Sequence, residues 1–175
     1  MSLRCLTRFS TGTKSASTVE RGTRFELLAL AELTRLSFQL TRSGGANDLG
    51  VDLFGFWKLG PRVCHPVIVQ CKCEARRVGT SYLRELEGSL SRRAPNEVGF
   101  LVSSGGFTKN SISYASGSKL RLVLVTMHHD DGFIKEFRMN APAKEQLSGI
   151  SCAVERTADQ VACLRLTYRS RLLGE

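Results

Sequence analysis

Between Phe25 and Leu36 apolar residues recur at 25, 28, 29, 33 and 36, the three-and-four spacing of one helix face. Ser17 stands three residues ahead of Glu20, the S-x-x-E spacing of a capping box, so a helix is expected over about 20–37. Phe38 to Thr41 reads as a short strand and residues 43–48 as loop by composition. Gly50 to Trp57 and Pro66 to Cys73 read as strands with a turn at Leu59-Gly60-Pro61 between them. Tyr82, Leu83, Leu86 and Leu90 share a face of a helix over about 80–92. Val98 to Ser103 is a buried strand, Thr108 caps a short helix to about Ser116, and Lys119 to Met127 is a strand. Residues 128–148 carry little pattern. The tail is read as a hairpin in preference to a helix capped at Thr157. This order of elements predicts an α/β sandwich with a central mixed sheet flanked by helices.

Composition narrows the class. The chain has 175 residues, 42% of them hydrophobic and 23% charged, and no apolar run near the ~18 residues of a membrane span. A chain this long buries roughly 70% of its unfolded surface, so neither disulfides nor a structural metal is needed for a core. The six cysteines have neither the context nor the spacing of a disulfide framework. Residues 1–19 hold Arg4, Arg8 and Lys14, no acid and eight Ser or Thr, the composition of a mitochondrial presequence. Residues 20–127 are read as the core domain and 128–175 as a C-terminal extension. The net charge is +9, and removing the presequence leaves +6 on the body, which points to a polyanion partner, nucleic acid first.

The chemistry concentrates on the strand around residue 70. Val67, Val69, Cys71 and Cys73 share one face, and Ile68, Gln70, Lys72 and Glu74 the other. A lysine on an otherwise apolar strand is costly unless it meets an anion. Asp52, in the short apolar run VDLF, poses the same problem with the opposite sign, and Gly50 just before it points to a close backbone approach. A carboxylate and a lysine on neighbouring strands suit a hard divalent cation with a water beside it. Asp48 could be a further ligand but reads better as a turn residue. A zinc site from Cys64, His65, Cys71, Cys73, His128 and His129 has poor spacing, and core packing of the cysteines is preferred.

Glu26 on the first helix, G-V-D at 50–52 and V-Q-C-K at 69–72 together resemble the restriction-endonuclease-like nuclease superfamily, in its Mrr type, where Q-x-K replaces the commoner carboxylate-x-Lys. RGTRFELLAL, Arg77-Val78-Gly79 and GFLVSSGGFTKNSISYAS resemble further segments of that domain, over about residues 20–127. With the presequence, the chain resembles the fungal mitochondrial "required for respiratory growth" proteins that carry it. The resemblance implies a metal-dependent nuclease, with DNA favoured over RNA as substrate and the mitochondrial matrix as its place. It implies that Asp52 binds Mg2+, or Mn2+ in its place, that Gln70 is a further metal ligand that completes or orients the site, that Lys72 is catalytic and that Glu26 helps from the helix to bind the metal or orient residues. Gln70 carries no charge where many relatives have Glu or Asp, which weakens cation binding. Lys109, Arg76, Arg77 and Arg84 are candidate phosphate-backbone contacts. A homodimer is compatible with this reading. So is a catalytically inactive nucleic-acid-binding protein on the same fold.

Overall fold

The structure, a computed structural model, describes residues 17–43, 50–156 and 162–174. Ser17 caps helix α1 (Thr18–Arg35) through the expected box. The Glu20 amide donates to Ser17 Oγ at 3.2 Å, and the Ser17 amide donates to the Glu20 carboxylate at 2.7 Å. Ser17 to Val19, at the end of the proposed presequence, thus form the cap and first turn of α1; residues 1–16 lie outside the described residues. Phe25, Ala29 and Leu33, spaced by four, form the buried stripe of the helix.

Strands β1 (Phe38–Arg42), β2 (Leu53–Gly60), β3 (Val63–Lys72), β4 (Val98–Ser103), β5 (Leu122–Met127) and β6 (Ile134–Met139) make one six-stranded sheet in that spatial order. The pairs β1–β2, β2–β3 and β5–β6 are antiparallel; β3–β4 and β4–β5 are parallel. The parallel connections run through α2 (Thr80–Leu90) and α3 (Lys109–Gly117). Every residue of β4 and β5 is buried, as expected of parallel strands covered on both faces. One core lies between α1 and the sheet, where Trp57 stacks on Phe38 at 4.4 Å and Phe100 meets both rings edge-on. The other gathers Leu83, Leu86 and Leu90 of α2 and Ala115 of α3 against Ile68, Leu101 and Leu124.

Several boundaries differ from the sequence reading; β5, for one, starts at Leu122 and not at Lys119. Strand β2 starts at Leu53, because Gly50 has a φ of +77° that no strand accommodates. Strand β3 starts three residues early, with Pro66 inside it opposite Phe56. Residues 128–148 are not irregular: they hold β6 and a six-residue helix α4 (Ala141–Gln146). The buried residues of β6, Ile134 and Phe137, are three apart, since a register shift at Thr126/Met127 breaks the two-residue period. The tail is a hairpin, β7 (Ile150–Arg156) with β8 (Ala162–Tyr168), joined by β9 (Arg171–Leu172); Ile150, Leu166 and Leu173 enter the α1-side core. Residues 44–49, including Asp48, lie outside the described residues.

Asn140 ties the far edge together. Its buried Oδ1 accepts from the amides of Leu122 and Ala143, both at 3.1 Å, and its Nδ2 donates to the carbonyls of Ala115 at 3.0 Å and Leu120 at 2.8 Å. Asn140→Ala strips a helix cap and leaves buried donors unpaired, so a loss of about 2 kcal/mol is expected. The denaturation midpoint should fall at unchanged slope; an unshifted midpoint would contradict this role for Asn140.

Candidate active site

The parallel strands end together at Lys72, Ser103 and Thr126–Met127, and the antiparallel β2 begins at that same edge. Asp52 enters there, just ahead of β2. Its amide donates to the Val69 carbonyl at 2.9 Å, and its carbonyl accepts from the Ser43 amide at 2.8 Å. Its carboxylate accepts a short bond, 2.6 Å, from the Cys71 amide of β3. The acid is thereby fixed against β3 by main-chain groups, whose positions the sheet dictates.

Gln70 is 1% exposed. Its Nε2 donates to Glu85 Oε2 of α2 at 3.2 Å, while its Oε1 is buried with no hydrogen-bond partner among the described residues. The amide orientation follows from Glu85: an ionised carboxylate only accepts, so the nitrogen must face it. Gly50 explains how the chain passes this amide. A Cβ there would stand 2.9 Å from Gln70 Nε2, and the φ of +77° already disfavours a side chain. An amide oxygen buried without a partner costs roughly 1–3 kcal/mol.

Lys72 is the last residue of β3 and half-buried. Its Nζ lies 4.7 Å from the centre of the Tyr82 ring, and the Tyr82 hydroxyl donates to Glu74 Oε1 at 2.6 Å. The ring face thus holds the ammonium at the strand end by a cation–π contact. Glu26 on α1 is bound by Arg42 of β1 at 2.7 Å. The charges converge around Cys71, whose thiol is pushed well above its usual range, first by burial, then by the carboxylates of Asp52 and Glu26, with Lys72 opposing. Asp52, Gln70 and Lys72 therefore meet at one sheet edge, and Glu26 stands behind them with its carboxylate engaged by Arg42.

The oxygen set fits a hard divalent cation. Asp52 supplies a carboxylate and Gln70 an amide oxygen that lacks any other partner, both hard donors suited to Mg2+. The cysteines form no ligand cluster among the described residues; the three donors that do gather are His128, His129 and Asp130. His129 Nε2 lies 3.3 Å from Asp130 Oδ2. They sit on the exposed turn between β5 and β6, as the polar-turn reading expects.

A cleft of about 750 Å³ adjoins Lys72 along the same edge, lined by Arg21 of α1, Arg76, Ser104, Gly105, His128 and Lys135 of β6 among others. Of the candidate backbone contacts, Arg76 faces this cleft. Arg77 donates to the Phe107 carbonyl at 3.4 Å, Arg84 lies over the Tyr114 ring at 5.6 Å, and Lys109 is exposed at the start of α3. Sequence reasoning missed Arg21, Lys135 and Glu85. Lys135 sits in the segment without pattern. Arg21 and Glu85 are ordinary helix charges until the fold shows which edge they face.

A six-stranded mixed sheet with α1 on one face, α2 and α3 on the other, and an acid, an amide and a lysine at one strand edge defines a restriction-endonuclease-like domain. The model of the Mrr catalytic-domain family, described as restriction endonuclease, matches residues 19–129, and the chain belongs to that family. A Schizosaccharomyces pombe protein named "Uncharacterized protein C824.03c, mitochondrial" is 39% identical over 118 residues, 66% of this chain and 48% of that protein. The chain thus spans about half the length of that relative. Among solved structures, the DNA modification-dependent restriction endonuclease AspBHI is 18% identical over 66% of this chain and 34% of its own, with a TM-score of 0.43. MspJI restriction endonuclease in complex with a 27-mer oligonucleotide is 21% identical over 65% and 32%, TM-score 0.43. A repair endonuclease from Pyrococcus abyssi is 15% identical over 67% and 50%, TM-score 0.42.

The raised Cys71 thiol and its burial predict inertness. At about pH 8, iodoacetamide should modify exposed Cys64 and leave Cys71 untouched until denaturation. Peptide mass spectrometry reads the order. Native alkylation of Cys71 as fast as Cys64 would contradict the packing described for β3.

Proposed function

We propose that this chain is a metal-dependent nuclease that hydrolyses phosphodiester bonds of nucleic acid, DNA in the first place, in mitochondria. The observation that carries the reading is the buried Gln70 Oε1, without a hydrogen-bond partner among the described residues, one residue before the Cys71 amide that clasps the Asp52 carboxylate, at the strand edge where Lys72 ends β3. Membership of the Mrr family supports it. The mitochondrial part rests on the composition of residues 1–16 and on the name of the fission-yeast relative. Among the described residues no helix is long and apolar enough to cross a membrane.

The roles follow from the positions. Asp52 and Gln70 would hold Mg2+ or Mn2+, which supplies charge neutralisation at the attacked phosphate and acidity to a water. The Cys71 amide keeps the Asp52 carboxylate in one place, so little reorganisation is needed when substrate arrives. Lys72, steadied over Tyr82, orients the attacking water or stabilises charge on the phosphoryl oxygens. Glu26 would assist from α1, where Arg42 holds its carboxylate. Arg21, Arg76 and Lys135 take the neighbouring phosphates along the cleft, which makes binding salt-sensitive.

One observation favours a second reading, a nucleic-acid-binding protein without catalysis: Arg42 engages Glu26, leaving Asp52 as the one carboxylate of the expected ligand set, beside an uncharged amide. Cleavage of labelled single-stranded, duplex and branched DNA and of RNA, with Mg2+, Mn2+ or EDTA, separates the two. Wild type should cut only with metal. Lys72→Ala and Asp52→Ala should lose at least about a hundredfold in rate while still binding. Salt-sensitive binding with no cutting by wild type on any substrate would leave the second reading standing.

A further inference from the structure

Among the described residues, helices α2 and α3 cover their face of the sheet over β3 to β5 and leave β2 bare. On this bare stretch Phe54 and Phe56 are 40% and 50% exposed. They lie two apart on β2, opposite Ile68 and Pro66 of β3 and Thr41 and Gln39 of β1, so both rings stand on one face. Two strand residues span about 7 Å, which sets the interval between the rings and also the step from Asp52 to Phe54. Lys58, two residues further on, continues the row opposite exposed Cys64. Packing gives no reason for two phenylalanines here, since Leu53, Trp57 and Leu59 of the same strand already supply the core on the other face.

The charge around the rings selects the partner. Residues 50–72 carry Lys58, Arg62 and Lys72, with Asp52 as their sole acid; Arg42 of β1 lies opposite Leu53 on the α1 face, where Glu26 holds it, and does not count here. Exposed rings on a basic sheet nearly free of acid suit stacked bases, with phosphates running to the cations. A protein partner fits less well. Two half-exposed phenylalanines offer about 200 Å² of apolar surface, against about 800 Å² per partner in a stable protein interface. A paired base inside a duplex cannot reach a ring in this way; an unpaired one can. Resting on the nuclease reading, we infer that Phe54 and Phe56 form a stacking platform beside the active site, and that the substrate carries unpaired nucleotides next to the bond to be cut. The platform begins one strand step from Asp52 and leads away from it, so it reads the strand on one side of the scissile phosphate.

The test is binding of the full chain, in EDTA so that nothing is cut, to a labelled pyrimidine single strand and to a blunt duplex. Phe54→Ala/Phe56→Ala should weaken single-strand binding at least about tenfold and leave duplex binding within about twofold. Phe54→Tyr/Phe56→Tyr should bind the single strand as wild type does. A single strand bearing 5-iodouracil should photo-cross-link to the β2 peptide of wild type, a readout independent of how well the alanine variant folds. Unchanged single-strand affinity in the alanine variant, equal losses on both ligands, or no β2 cross-link would overturn the platform while sparing the nuclease reading. Self-association that the alanine variant loses, with nucleic-acid binding intact, would overturn it in favour of a protein interface. Wild type that binds no nucleic acid would sink both.

Discussion

Strand β3 is buried on both faces from Val67 to Cys71, and this decides where its polar chemistry can stand. A lysine in the middle of such a strand would lose its hydration with nothing in return. At the last residue it reaches the edge, where the Tyr82 ring and open solvent receive it. Gln70 is two residues inside that limit and does pay: one end of its amide is satisfied by Glu85, and the other is left without a protein partner. The site is thus the boundary between a sheet that tolerates no unpaired polarity and an edge that requires some.

The surrounding elements act through that boundary. The antiparallel β2 delivers Asp52 to the same edge, where its amide bonds the Val69 carbonyl and its carboxylate accepts from the Cys71 amide, registering it against β3. Gly50 lets the chain pass the Gln70 amide where any Cβ would collide. Basic side chains stand at two places: the cleft with Arg21, Arg76 and Lys135, and the sheet face with Lys58 and the two exposed rings. Both flank Asp52 and Lys72, as a chain-like polyanion lying across the edge would need.

Much of this was legible in the sequence. The helix periodicity of α1, the capping box, the alternation along β3 and the all-apolar β4 and β5 each have a local cause that a pattern reveals. The candidate site residues stood out for a different reason: Asp52, Gln70 and Lys72 are polar groups in apolar runs. What stayed hidden depends on distant contacts. Residues 134–139 do not alternate because a register shift against β5 skews their faces, and α4 is too short to show a period. Glu85 and Lys135 are exposed charges of an ordinary kind whose neighbours only the fold supplies. Arg42 holding Glu26 joins a strand to a helix sixteen residues away, which no spacing rule anticipates.

The central claim is that the orphaned Gln70 oxygen and the clasped Asp52 carboxylate together make one hard-cation site. Mn2+ binding followed by electron paramagnetic resonance tests it directly, on wild type, Asp52→Asn, Gln70→Leu and His128→Ala/His129→Ala. The account predicts one ion per chain in wild type, loss in Asp52→Asn, weakening in Gln70→Leu and no change in the histidine variant. Binding that survives Asp52→Asn and Gln70→Leu but disappears with the two histidines would contradict it.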